Sequence, residues 1–178
     1  GEYKGKRICI NDFLVDSIKS CIYGVEVDTL PPIKAFVHIV LHHYKEMNSL
    51  YHLVKGNPIN YKKFKDVYEL IKAYPNEISI EKVNSISQEY DIAAYAYYVL
   101  YYTNLVYKDK GLEEYVKMLE CKKGRELLEC YGLDDKERKK WKIGFEDRLK
   151  RDNIAYMIWD DLTKEDIEKI ARNQEVFG

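Results

Sequence analysis

The sequence predicts a mainly α-helical protein: one multi-helix bundle domain with at most one short strand near the N-terminus. Three observations carry that expectation. Apolar residues recur at helical rather than alternating spacing along most of the chain. Capping residues and proline or glycine stops bracket these stretches at helix-length intervals. Finally, 178 residues with 46% hydrophobic and 33% charged side chains have the size and composition of one globular domain. Such a chain buries roughly 70% of its unfolded surface and needs no metal or disulfide to fold.

Residues 6–10 (Lys-Arg-Ile-Cys-Ile) are the one expected strand. Asn11 or Asp12 then caps a helix to Tyr23, with Gly24 as its stop and residues 25–30 as a connector. Pro31-Pro32 opens a long helix from about Ile33 to Lys55, stopped at Gly56. After an Asn57-Pro58 turn, a helix runs from Asn60 to Tyr74 and is closed by Pro75-Asn76. Ser79 caps a short helix to Ser87. From Gln88 to Lys108 the apolar positions go all the way round the helix, which places it at the buried centre. Seven of the 17 tyrosines fall between Tyr90 and Tyr107.

Beyond it, Gly111 starts a helix to Cys121, and a short one follows from Gly124 to Tyr131 with Gly132 at the C′ position. Asp134 or Asp135 caps a charged helix to Lys150, a solvated face with Trp141 and Phe145 interleaved. Thr163, with Asp166 three residues on, caps the last helix, which ends near Arg172. Asp152 marks the one candidate boundary: residues 1–152 form the helical domain, and 153–178 an acidic tail packed on it.

Charge argues against nucleic acid as a partner. Lys+Arg 29 against Asp+Glu 30 leaves a net charge of −1, where a general nucleic-acid binder shows a strongly basic balance. The longest uncharged run, Ile92 to Tyr107, falls short of the roughly 20 residues that span a bilayer, so no membrane span is expected. Cys9, Cys21, Cys121 and Cys130 form no C-x-x-C pair and read as reduced thiols of a cytoplasmic protein. Disulfides are the alternative if the chain is an excised extracellular domain; Gly1 in place of Met suggests processing, a tag scar or excision. No G-x-S-x-G, P-loop or G-x-G-x-x-G occurs, which removes those routes to hydrolysis and nucleotide binding.

All four histidines lie between residues 38 and 52. His38 and His42 are four apart, so both imidazoles point the same way and can share one zinc ion; a zinc site needs at least a third ligand. The apolar face of that helix holds Ile33, Phe36, Val37, Val40, Tyr44, Met47 and Tyr51. His38, His42, Lys45 and Ser49 lie opposite, on a face that is either solvated or the lining of a cleft. His43 sits at the apolar edge as a packing residue. His52 is almost four turns from His38, roughly 21 Å at about 1.5 Å per residue, too far to share its ion. On the tyrosine-rich helix, Tyr90, Tyr97 and Tyr101 fall on one side, either a ligand platform or a core with polar fringes.

The stretch from Tyr90-Asp-Ile-Ala-Ala-Tyr-Ala-Tyr-Tyr-Val-Leu through Gly111-Leu-Glu-Glu-Tyr-Val-Lys-Met-Leu and Gly124-Arg-Glu-Leu-Leu-Glu-Cys-Tyr-Gly-Leu to Trp141 resembles the C-terminal part of gluzincin-type (peptidase MA-like) metallopeptidase domains. The resemblance covers residues 90–150. It implies a zincin-like helical scaffold in which His38-Ile-Val-Leu-His42 stands for the family's His-Glu-x-x-His. Isoleucine then replaces the glutamate that takes a proton from zinc-bound water, so the family's peptidase route is closed. The third ligand it implies is Glu69, in Glu69-Leu-Ile-Lys-Ala-Tyr74, where the family's glycine is missing. The leading expectation is therefore a pseudo-enzyme without a cofactor or catalytic residues, acting by binding a protein, peptide or ligand. Two alternatives remain: a metal-dependent hydrolase using His38 and His42 with zinc, and a metal-free helical regulatory or host-interaction module.

Overall fold

The computed structural model describes residues 2–3, 6–7, 15–56 and 58–177. The chain is mainly helical. Its described strands pair as three antiparallel two-stranded ribbons: β1 (Glu2–Tyr3) with β2 (Lys6–Arg7), β3 (Ile18–Ile22) with β4 (Val25–Thr29), and β5 (Cys130–Tyr131) with β6 (Lys139–Lys140). The expected strand over 6–10 is met at Lys6–Arg7, while residues 8–10 and the expected helix start at Asn11 or Asp12 lie outside the described residues.

The rest of that expected helix is replaced by the β3–β4 hairpin. Ile18, Ser20 and Ile22 pair with Thr29, Val27 and Val25, which puts the apolar residues on one face. Lys19, on the other, reaches Asp28 at 3.0 Å and Glu26 at 3.7 Å. Tyr23 and Gly24 both have positive φ, 51° and 81°, as a two-residue primed turn requires. Gly24 does stop an element through its left-handed backbone, but the element is a strand.

α1 (Pro32–Asn48) and α2 (Leu50–Lys55) replace the single helix expected to Lys55. Ser49 is extended, with ψ 127°. Asn48 donates its amide to the Tyr44 carbonyl at 2.9 Å, while its own carbonyl accepts from the Gly132 N–H at 2.9 Å. The side chain competes for a helix acceptor, and a remote loop takes the carbonyl the next turn would need.

α3 (Tyr61–Ala73) and α4 (Ile80–Glu89) form as expected, with the Asn60 and Ser79 side chains accepting from the Lys63 and Lys82 N–H groups. The central helix α5 (Ala93–Tyr107) starts later than expected, because Asp91 turns left-handed (φ 54°) between α4 and α5. Its residues from Ala94 to Leu100 are all buried, and it is packed by α1, α3, α4, α6 (Lys110–Leu119) and α7 (Lys122–Leu128). A run of rings crosses this core: Tyr44 with Tyr95 and Tyr98, Tyr98 with Tyr102, and Tyr102 stacked on Phe145 at 4.1 Å.

The charged helix expected over 134–150 does not form. Asp134 accepts from the Lys136 and Glu137 N–H groups in a turn, β6 pairs with β5, and only α8 (Phe145–Leu149) is helical. The stretch from Asp134 to Lys140 has no apolar residue to give a helix a buried face, so pairing of Trp141 N–H with the Glu129 carbonyl decides the conformation. Arg148 on α8 is buried against the Trp141 ring, 4.2 Å away, and donates to the Tyr102 hydroxyl at 3.0 Å.

α9 (Ala155–Ile158) and α10 (Lys164–Phe177) both pack on α2. The expected cap is present: Asp166 N–H donates to Thr163 Oγ1 at 3.2 Å, and Thr163 N–H to Asp166 Oδ2 at 2.8 Å. Among the described residues, no helix is long and apolar enough to cross a membrane.

Candidate functional site

His38 and His42 lie on the exposed side of α1, with parallel rings 6.0 Å apart. His42 Nε2 is 3.3 Å from Glu46 Oε1, and Glu46 also pairs with Lys63 of α3. Burial, then Lys63 and Lys45, push the His42 pKa down. Glu69 is exposed on α3. Among the described residues, no group of three or more histidine, cysteine, aspartate or glutamate side chains is placed to hold a metal ion. The helix therefore brings the two histidines together, and Glu69 does not join them.

His43 is buried at 7% exposure, consistent with a packing role, and neither ring nitrogen has a hydrogen-bond partner. The half-exposed Asp66 carboxylate approaches Nε2 to 3.9 Å. Burial, followed by the charges of Lys63, His42 and His38, lowers its pKa from 6.5 to about 4. The unfolded chain thus binds more protons than the native one between those values, so stability is full above pH 6.5 and drains away as pH falls to about 4. The loss should be on the order of 2 kcal/mol, reduced from the full shift by solvent near the ring edge. Asp109, held at about 2 chiefly by its hydrogen bond from Lys72, adds acid sensitivity only below pH 4. Urea midpoints at pH 7 and pH 4.5 should therefore converge in His43→Leu, and an unchanged gap would remove His43 as its source.

Of the tyrosines expected to form a platform, Tyr90 caps the end of α4 and is half-buried, and Tyr101 is half-buried with its ring 5.8 Å from that of Tyr97. Tyr97 is only 4% exposed, because α7 lies over it: a Cβ on Gly124 would sit 2.5 Å from Tyr97 Cδ1. Helix packing occupies the middle of that face.

A different place has the form of a binding site. A cavity of about 700 Å³ opens between α2, the turn at 133–137 and α10. The turn–α10 wall carries Asp134, Glu137 and Asp166, and all three are engaged. Lys169 pairs with Glu137 and with Asp134 at 3.4 Å, and Lys139 reaches Asp166 at 2.6 Å. Glu137 also accepts from the Leu133 N–H at 3.1 Å. The facing wall is built by the end of α1 and by α2. There Lys45 and Lys55 have no carboxylate partner among the described residues, and Lys55 Nζ lies 4.7 Å from the centre of the Tyr51 ring. Tyr51 is 7% exposed and its hydroxyl is buried without a hydrogen-bond partner, as is His52 Nδ1. The two rings meet edge to face at 5.2 Å. Burial, then the charges of Lys45, His42 and Lys55, lower the His52 pKa.

Sequence reasoning set Lys45 and Ser49 on a face that is either solvated or the lining of a cleft, and took His52 only as too far away to share the ion of His38. It also treated Tyr51 as part of the apolar face. The cavity's other wall comes from residues 133–137 and 166–173, and no local pattern brings those to α2.

Compared with known proteins, the chain matches no family model, no curated protein and no solved structure. Fold and site together define a helical domain with a charged cleft between its second helix and its last.

Proposed function

We propose that the chain is a non-catalytic binding domain that takes its ligand, a small molecule or the end of a peptide, in the cleft between α2 and α10. The observation that carries this is the cleft's volume together with its lining, where Lys45 and Lys55 have no carboxylate partner among the described residues. About 700 Å³ lies within the range of small-molecule sites, roughly 300–1,000 Å³. The non-catalytic part of the reading rests on Ile39, which the gluzincin resemblance sets at the position of the family's proton acceptor and which is half-buried against the core.

Fragment screening of the full chain by amide NMR tests it. Bound fragments should shift resonances of residues 49–55, 133–137 and 166–173, and Ile170→Trp, which fills the cleft, should abolish those shifts. Saturable binding confined to the His38–His42 face would overturn the cleft assignment. Peptide hydrolysis lost in His42→Ala would overturn the non-catalytic reading.

A further inference from the structure

The two walls of the cleft differ in what they leave unneutralised. On the turn–α10 side three carboxylates meet two lysines, Lys169 shared by Asp134 and Glu137 and Lys139 on Asp166, so each is paired and one negative charge is left over. On the α2 side Lys45 and Lys55 present two cations without counter-charges among the described residues. Both lysines line the same cleft, and burial, then the charges of Lys45, His42 and Lys55, lowers the pKa of the His52 ring. Two cations without counter-charges are complementary to one kind of chemistry. An oxyanion offers several lone pairs to Lys Nζ and cancels the local positive charge.

We propose that the Lys45–Lys55 wall binds the anionic head group, phosphate or carboxylate, of a small ligand. This rests on the cleft-binding reading and names its ligand class. The remainder of the ligand lies toward the turn–α10 wall, whose carboxylates, one in excess of their lysines, and Ile170 favour a neutral or apolar body over a second anion. Lysines rather than arginines make this a point-charge site, which tolerates either oxyanion geometry.

Calorimetric and NMR titrations of the full chain with inorganic phosphate, succinate and glycerol test the proposal. Phosphate or succinate should saturate with shifts at Lys45, Tyr51, His52 and Lys55, and the tighter of the two identifies the head group. Glycerol should not bind. The double variant Lys45→Glu/Lys55→Glu alters two exposed side chains, so its circular dichroism and melting temperature should stay near wild type while anion affinity falls at least tenfold. Anion binding unchanged in the double variant would overturn the proposal. So would the absence of saturation by both anions at tens of millimolar. If uncharged fragments still shift the cleft in that second case, only the anion assignment fails; if they do not, the cleft reading fails with it.

Discussion

Tyr98→Ala should lower the stability of the fold by roughly 3–5 kcal/mol, the cost of emptying a large aromatic site in a close-packed core. Tyr98 is fully buried at the middle of α5. Its ring meets Tyr44 edge-on at 5.1 Å and Tyr102 edge-on at 4.9 Å, so the truncation breaks the run of rings joining α1 to α5 and α8. For a domain of this size the melting temperature should fall by about 10 °C or more. Tyr98→Phe keeps both edge-to-face contacts and should cost less than about 1 kcal/mol. Urea unfolding followed by circular dichroism distinguishes them. Equal losses in the two variants would mean that the hydroxyl, not the ring packing, carries the stability. Exposed Tyr156 supplies the control: Tyr156→Ala should stay within about 0.5 kcal/mol of wild type.

Gly132→Ala should cost roughly 3 kcal/mol. Gly132 has φ 98°, where an L side chain pays about 1–2 kcal/mol in backbone strain alone. A Cβ there would also lie 2.5 Å from the Glu137 carbonyl oxygen, and that neighbour is backbone with no rotamer to yield. Relief requires the 133–137 turn to shift, and with it the Gly132 N–H bond to the Asn48 carbonyl that fixes the α1–α2 break. Ligand affinity should therefore fall along with stability. Gly144→Ala is the matched comparison, since nothing lies within 4 Å of its Cβ position and the change should stay within about 0.5 kcal/mol. A Gly132→Ala protein as stable as wild type would show that the turn is soft.

What the sequence made legible was local. Ser79 and Thr163 cap helices through a hydroxyl and a backbone N–H three residues away, and both expected caps form. The all-round apolar pattern of the central helix signals burial whatever surrounds it. The failures occur where one residue serves two structures. Gly24 ends a helix or turns a hairpin with the same positive φ, and only the alternation of Ile18–Ile22 and Val25–Thr29 separates them. Asn48 continues a helix until a remote N–H claims its carbonyl. Gly132 was legible as a left-handed position, but not as the turn that follows β5. The cleft was the least legible feature, because its walls meet only through tertiary packing; the histidine pair, fully local, could be placed from spacing alone.

The capping box at Thr163 and the packing of α10 on α2 have a mechanical consequence. α10 docks on the short α2 and, through Asp166 and Lys169, on the 134–139 segment, and such a peripheral helix is a unit able to detach while the core stays closed. Anything held simultaneously by Lys55 and by Ile170 staples that unit to the body of the fold. Occupancy would then be read at a distance, as slower proteolytic clipping and slower amide exchange along residues 164–175.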